Sequence, residues 1–443
     1  MNQQRNVVNT EQVVSTAPFA GVPLLVTVLG LLALTLDGFD IQTVAFAAPA
    51  LAELWGVQRA ALGPVLAAGL IGMALGAVLL GRYADRVGRR RALIVSTLGY
   101  AVGSLLCATA TDLTQLAVWR FVTGIGMGAP LAIGTAMINE FTPQRWRSLA
   151  VAAAVVGIPL GGMVGAALAG AVLPLYGWQA IFIAGAVLPL LLAVALWRWL
   201  PESPRFLSGK PAMAGTLAAL LNRMTRSARF NAADQFVSGS PDDTQQRRVA
   251  ELLAPALRLA TTTLWIAFFF NWLPTVLGSV GLSPVVAIRG GFIFNLGGVV
   301  GALLGATLGN FIGTRRVCTV LGSISVIATW LIGQNQVFGA GAVPEVNHAL
   351  IWMMALAGFG ISGLQTQLYV LAAHAFPTAL RALGSGSCGA IGRVGGILST
   401  AAGAVMFHFG LSGGRFFAGL ALLLVVTLVT LQFFNRHIRP LPP

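Results

Sequence analysis

Charge is what this sequence has least of. Only 9% of its 443 residues are Asp, Glu, Lys or Arg, against 56% hydrophobic, and the mean hydropathy is +0.82. A soluble domain carries about 25% charged residues, and a chain this long could not cover a water-facing surface with so few. Lysine is almost missing, with Lys210 alone. Cysteine is scarce: Cys107, Cys318 and Cys388 lie far apart inside apolar runs, which supports neither a disulfide framework nor a zinc site. No G-K-[ST] phosphate loop, no G-x-S-x-G elbow and no His/carboxylate metal cluster occurs. No cofactor, no metal and no enzyme chemistry is therefore expected, and ATP-driven work within the chain is disfavoured. Glycine is abundant, at 54 residues, but it sits inside long apolar stretches, which excludes a disordered reading. The chain reads as a polytopic membrane protein.

A bilayer core of ~30 Å takes about 20 apolar helical residues. Such runs lie near 22–47, 60–81, 92–110, 114–138, 148–173 and 178–199, then near 257–280, 287–311, 317–335, 349–373, 383–408 and 412–434. The expected fold is all-α, with 12 transmembrane helices in two six-helix halves. The expected organisation is a tail 1–21, a first half 22–199, a central loop 200–256, a second half 257–434 and a tail 435–443. No cleavable signal peptide is expected, because residues 1–20 are polar and the first apolar run is long enough to span.

The positive-inside rule gives the orientation. With residue 1 in the cytoplasm, that face carries 22 Lys and Arg and the other face only Arg59, Arg289 and Arg415. The net charge of +14 thus reflects topology and implies no nucleic-acid partner. The expected setting is a cytoplasmic (inner) membrane, with both termini cytoplasmic and the lipid bilayer as surroundings.

The halves repeat one another. Gly124, Gly126, Pro143 and Arg147 recur at an offset of 234 as Gly358, Gly360, Pro377 and Arg381. Between spans two and three stands Gly81-Arg-Tyr-Ala-Asp85-Arg86-Val-Gly88-Arg89-Arg90-Arg91. The run resembles the loop signature G-x-x-x-D-R-x-G-R-R of the major facilitator transporters, and a parallel repeat of six spans resembles their architecture. Its glycines permit a tight turn, and Asp85 can cap a neighbouring helix or pair with an arginine. Such pairs would latch the halves at a cytoplasmic gate together with Arg86, Arg89, Arg90, Glu140, Arg147 and Arg381; the alternative is a plain positive-inside anchor. In the second half Asn310 stands where the acid would be, so a full latch is expected only in the first.

Three ionisable residues lie at the middle of apolar runs. Asp37 and Asp40, in Leu36-Asp-Gly-Phe-Asp40, share a helix face at i, i+3. One Asp at a helix centre costs ~2.5–3.5 kcal/mol on insertion. Buried carboxylates this close resist being ionised together, so they are candidates to carry a proton; a structural hydrogen-bonded pair is the alternative. Arg393 lies 12 residues after Arg381, about 18 Å along a helix and near the midplane, where transporter substrates bind between repeats. Arg holds carboxylates bidentately, which points to an organic anion, unless Arg393 is permanently paired with Asp37 or Asp40. Asn271, Trp272, Asn295, Gln365 and Tyr369 are candidate cavity walls.

The D-G-F-D run followed by Ala47-Ala-Pro49, together with Arg120-Phe-Val-Thr-Gly124-Ile-Gly126, Pro201-Glu-Ser-Pro204 and Gly392-Arg393, resembles the aromatic acid/proton symporter branch of that superfamily. The resemblance implies import of an aromatic carboxylate with a proton by alternating access, Arg120 as a partner in proton relay, and a monomer. A proton-coupled organic-anion or drug antiporter of the same fold is the alternative. A transporter-like receptor that binds without turnover is more distant.

Overall fold

The structure, a computed structural model, describes residues 7–57, 59–237, 249–272, 284–334, 348–377, 380–408 and 413–438. After β1 (Val7–Asn9) and α1 (Thr10–Thr16), the first six passages are α2 (Val22–Leu54), α3 (Gly63–Val87), α4 (Arg89–Cys107), the pair α5 (Leu113–Met127) and α6 (Pro130–Phe141), α7 (Gln144–Tyr176) and α8 (Gln179–Trp199). The central stretch holds α9 (Pro204–Ser208), α10 (Ala214–Thr225) and β2 (Gln235–Val237). Six more passages follow: α11 (Arg258–Trp272), α12 (Pro284–Ile312), α13 (Thr314–Gln334), α14 (His348–Ala375), α15 (Arg381–His408) and α16 (Gly413–Gln432).

Nine passages among the described residues are long and apolar enough to cross a membrane. The remaining three are α4, which opens on three arginines, α11, described over 15 residues, and α15, which carries Arg393 among its glycines. The fourth passage is broken where the sequence reads as one run, because Pro130 has no amide hydrogen to continue the ladder. A Cβ at Gly128, in the break, would fall on the backbone of α3.

The helix pairing repeats. In the first half α2 packs on α7, α3 on α5 and α4 on α8; in the second α11 packs on α15, α12 on α14 and α13 on α16. The repeated glycines make this pairing possible. A Cβ at Gly124 would strike the Gly69 carbonyl of α3, and one at Gly126 the Tyr100 backbone of α4. At the corresponding places Gly358 faces the Phe294 carbonyl of α12, and Gly360 faces Leu321 and Ser325 of α13. Small residues let backbones approach where lipid gives no hydrophobic drive. Large apolar side chains such as Leu191, Val194, Trp197 and Leu422 stay exposed on the outside of the bundle, as a lipid-facing surface requires.

The N-terminal segment, the central stretch and the C-terminal tail share one face. β1 pairs in parallel with β2, Val8 opposite Phe236. Arg436 donates from Nη1 to the Ala375 carbonyl at 2.6 Å and from Nη2 to the Ala256 carbonyl at 3.0 Å. The halves meet on the opposite side of the bundle, where α7 packs on α12 and α3 on α15. Gly170 lies by Ile288, Gly162 by Asn295 and Pro159 by Gly298.

The C-terminal tail is pinned to the start of α13. The Thr314 amide donates to the Ile438 carbonyl at 3.1 Å, and the Ile438 amide donates to Thr314 Oγ1 at 2.9 Å. His437 Nδ1 lies 3.2 Å from Thr314 Oγ1, and its Nε2 lies 3.1 Å from the Leu431 carbonyl. Burial, reinforced by the Arg315 charge, holds the His437 imidazole below its ordinary value, against the pull of the Leu431 carbonyl. The docked tail therefore favours the neutral ring, and the free tail binds a proton more readily. Docking is complete above the ordinary imidazole range and weakens as pH falls through it. Hydrogen exchange at the Ile438 amide, corrected for its intrinsic rate, should quicken on going from about pH 7.5 to about pH 5.5. It should lose that dependence in His437→Gln.

Candidate functional site

Asp37 and Asp40 lie on one face of α2, at 1% and 0% exposure, but they have different surroundings. Asp40 is fully engaged. Its Oδ2 accepts from Arg120 Nη1 at 2.6 Å, its Oδ1 shares the Ser104 hydroxyl, at 3.2 Å, with the Phe182 carbonyl at 3.1 Å, and its backbone carbonyl accepts from Arg120 Nη2 at 3.2 Å. Asp37 has none of this: its Oδ1 is buried without a hydrogen-bond partner. Arg393, at 5% exposure, is within electrostatic reach of Asp37 and of the Tyr369 hydroxyl. Among the described residues it makes no ion pair. The sequence left open a permanent Arg393 pair with either aspartate. In the structure Asp40 belongs to Arg120, and Arg393 lies within electrostatic reach of Asp37 without an ion pair between them.

Tyr100 and Ser104 occupy one face of α4. The Tyr100 ring is fully buried, its hydroxyl has no partner, and it lies within reach of both aspartates. Neither residue stood out in the sequence, because a hydroxyl in an apolar run is common.

A cavity of about 150 Å³ opens between the halves beside this cluster. Arg120, Gln42 and Met73 border it from the first half, with Val155, Ile158 and Pro159 of α7. Phe294, Asn295, Ile361, Gln365 and Gly396 border it from the second. Of the expected walls, Asn295 and Gln365 are there. Tyr369 stands edge-on to Phe268, with ring centroids 4.9 Å apart, and a Cβ at Gly389 would be 3.7 Å from its hydroxyl. Asn271 is wholly buried with both amide atoms unpartnered, and neither it nor Tyr369, Asp37 or Arg393 is among the cavity's lining residues. The side chains of Trp272 and Arg381 lie outside the described residues.

The expected gate residues separate into two groups on the termini face. Arg89 pairs with Glu140, which also accepts from Ser203 Oγ; Arg147 Nη1 lies 3.9 Å from Glu11. Arg90 donates to the Trp197 carbonyl. Asp85 and Arg86 are exposed, and among the described residues Asp85 has no ion pair. Glu202, unremarked in the sequence beyond its motif, takes the capping place considered for Asp85. Its Oε1 accepts from the amides of Arg89 at 2.9 Å, Arg90 at 3.1 Å and Ser203 at 2.9 Å. A carboxylate at a helix N-terminus satisfies orphan donors and the helix dipole together. Gly88, at φ +104°, makes room for it, since a Cβ there would fall on the Glu202 carboxylate.

Two pseudo-repeated six-helix halves around a central cavity correspond to a known family, and residues 30–400 match the Major Facilitator Superfamily. The chain belongs to that superfamily. It is 34% identical over 407 residues to a gallate transporter of Pseudomonas putida, covering 90% of this chain and 88% of that protein. It is 32% identical over 429 residues to the 4-hydroxybenzoate transporter PcaK of the same organism, covering 93% of each. The fold matches the xylose transporter XylE from E. coli, in a partially occluded inward open conformation, with a TM-score of 0.76 at 16% identity, covering 96% of this chain and all of that one.

The unequal aspartates have a direct consequence for stability. Asp40→Asn leaves Arg120 buried beside a neutral amide and is expected to cost about 3–5 kcal/mol. Asp37→Asn takes a nearby charge from Arg393 but breaks no hydrogen bond among the described residues, and should lower the melting temperature less. Thermal unfolding of the two variants in detergent checks this, and equal losses would contradict the division between them.

Proposed function

We propose that this chain is a secondary transporter that imports an aromatic carboxylate with a proton by alternating access, acting as a monomer in a cytoplasmic (inner) membrane with both termini inside. The observation that carries the reading is Arg393: a buried guanidinium near the middle of its helix, within electrostatic reach of Asp37 and, among the described residues, in no ion pair. Arg120, by contrast, is already neutralised by Asp40. Arg393 therefore supplies the charge that an incoming carboxylate can take, bidentately.

Size and lining restrict the cargo. An apolar cavity of about 150 Å³ holds one benzene ring; here Ile158, Pro159, Phe294 and Ile361 offer apolar walls, and Arg120, Gln42, Asn295 and Gln365 add polar groups. The relatives named for gallate, 4-hydroxybenzoate and 3-(3-hydroxy-phenyl)propionate support a single-ring acid.

Coupling follows from counting charges. With all groups ionised, Asp37, Asp40, Arg120 and Arg393 sum to zero. A bound carboxylate adds one negative charge in a medium that penalises it, and one proton restores neutrality. The Asp40 carboxylate accepts from both Arg120 and Ser104, so Asp37 is the carrier. Protonated, it releases its claim on Arg393 to the substrate; after the substrate leaves, the proton leaves and Asp37 faces Arg393 again. The halves rock about the central cavity. The loop from Gly81 to Arg90, with Glu140, Arg147 and Arg381, forms the cytoplasmic gate.

Proteoliposomes under an inward-acid gradient provide the test. Arg393→Ala should abolish aromatic acid binding, and Arg393→Lys should weaken it at least tenfold because the fork geometry is lost. Asp37→Asn should still exchange substrate but fail to accumulate it. Normal accumulation by Asp37→Asn would place the proton path elsewhere. Asp85→Asn should slow transport with substrate binding nearly intact; lost binding in folded protein would remove that residue from the gate.

A further inference from the structure

On the side of the cavity away from the termini, two amides hold one another across the two halves. Gln42 Nε2 of α2 donates to Asn295 Oδ1 of α12 at 3.1 Å, and Asn295 Nδ2 donates to Gln42 Oε1 at 2.9 Å. Asn295 gives its other amide hydrogen to the Gly291 carbonyl at 2.7 Å, so both its donors are used. Gln42 retains one N–H, and each amide oxygen retains a lone pair. A Cβ at Gly162 of α7 would fall on Gln42 Nε2 and lie 2.7 Å from both Asn295 amide atoms. Among the described residues this pair supplies the hydrogen bonds that join the halves, and both of its members border the cavity.

We infer that the Gln42–Asn295 pair recognises a ring hydroxyl of the substrate, so that hydroxylated aromatic acids are the preferred cargo. The inference rests on the assignment of the cavity to an aromatic carboxylate. Both amides border the cavity together with Ile158, Pro159 and Phe294, so a ring held on those apolar walls lies next to the pair. A hydroxyl donates and accepts at once, as the spare capacity of Gln42 and Asn295 requires. An acid without one leaves that capacity unmet in a buried site, the situation in which a polar site discriminates well.

Equilibrium binding of benzoate, 4-hydroxybenzoate and gallate to the purified full-length protein tests this. In the unmodified protein the hydroxylated acids should bind roughly tenfold tighter than benzoate, the scale of a hydrogen bond to a buried amide. In Gln42→Leu the ratio should fall to near one. The double variant Gln42→Leu/Asn295→Leu removes both partners together and leaves no buried amide stranded, so it serves where the single variant folds poorly, and it should show the same collapse. An unchanged ratio in folded variants, or a ratio near one in the unmodified protein, overturns the hydroxyl assignment. The aromatic acid reading then stands if binding persists and Arg393→Ala abolishes it. If none of the three acids binds the unmodified protein, both readings fall.

Discussion

A charge in the middle of an apolar helix must be answered by another charge, and the first half of this protein is arranged so that Arg120 can answer Asp40. The guanidinium reaches α2 because α5 is pressed close to α3 and α4, and it is so pressed because Gly124 and Gly126 have no side chains to hold it away. Gly69 makes the same allowance, for a Cβ there would stand 3.5 Å from Arg120 Nη2. Ser104 then occupies the remaining carboxylate oxygen. Breaking one member of a buried pair costs more than the pair itself contributes, so these contacts are interdependent.

That pairing is what makes the second aspartate useful. If Arg120 and Arg393 were shared evenly between Asp37 and Asp40, neither carboxylate would be distinguished and neither arginine would be available. Because Asp40 is taken up by Arg120 and Ser104, Asp37 and Arg393 are left within electrostatic reach of one another, with no hydrogen bond between them among the described residues. In the cycle proposed above, a carboxylate ligand and a proton each replace one side of that relation, and together they leave the total charge unchanged. The cavity between the halves lies beside them, with apolar walls at one level and an amide pair at another.

The termini face is built on a different principle. There the glycine turn at Gly88 and the carboxylate of Glu202 bind the arginine-rich loop to the segment after α8, while Glu140 ties Arg89 and Ser203 together. The described contacts of this cluster stay within the first half and its central stretch. The hydrogen-bonded link between halves lies elsewhere, at Gln42 and Asn295. The loop as described is thus a stiffened corner of one half, with Asp85 and Arg86 presented outward from it.

The sequence by itself determined the passages and their ionisable centres. Bilayer-length apolar runs have few alternatives to helix, since a backbone in hydrocarbon must satisfy its own hydrogen bonds. An Asp or Arg inside such a run is conspicuous because its cost is high. The superfamily was legible from the loop motif and from the repeat, whose glycines lie in equivalent helix contacts of the two halves. Tertiary structure alone decided who pairs with whom. Arg120 and Asp40 are 80 residues apart, Glu202 and Arg89 are 113 apart, and Gln42 and Asn295 are 253 apart. Helical periodicity assigns a residue to a face but not to a partner on another helix, because the partner depends on how closely two backbones approach and at what height. For that reason Asp37 and Asp40 read alike in the sequence and differ in the fold.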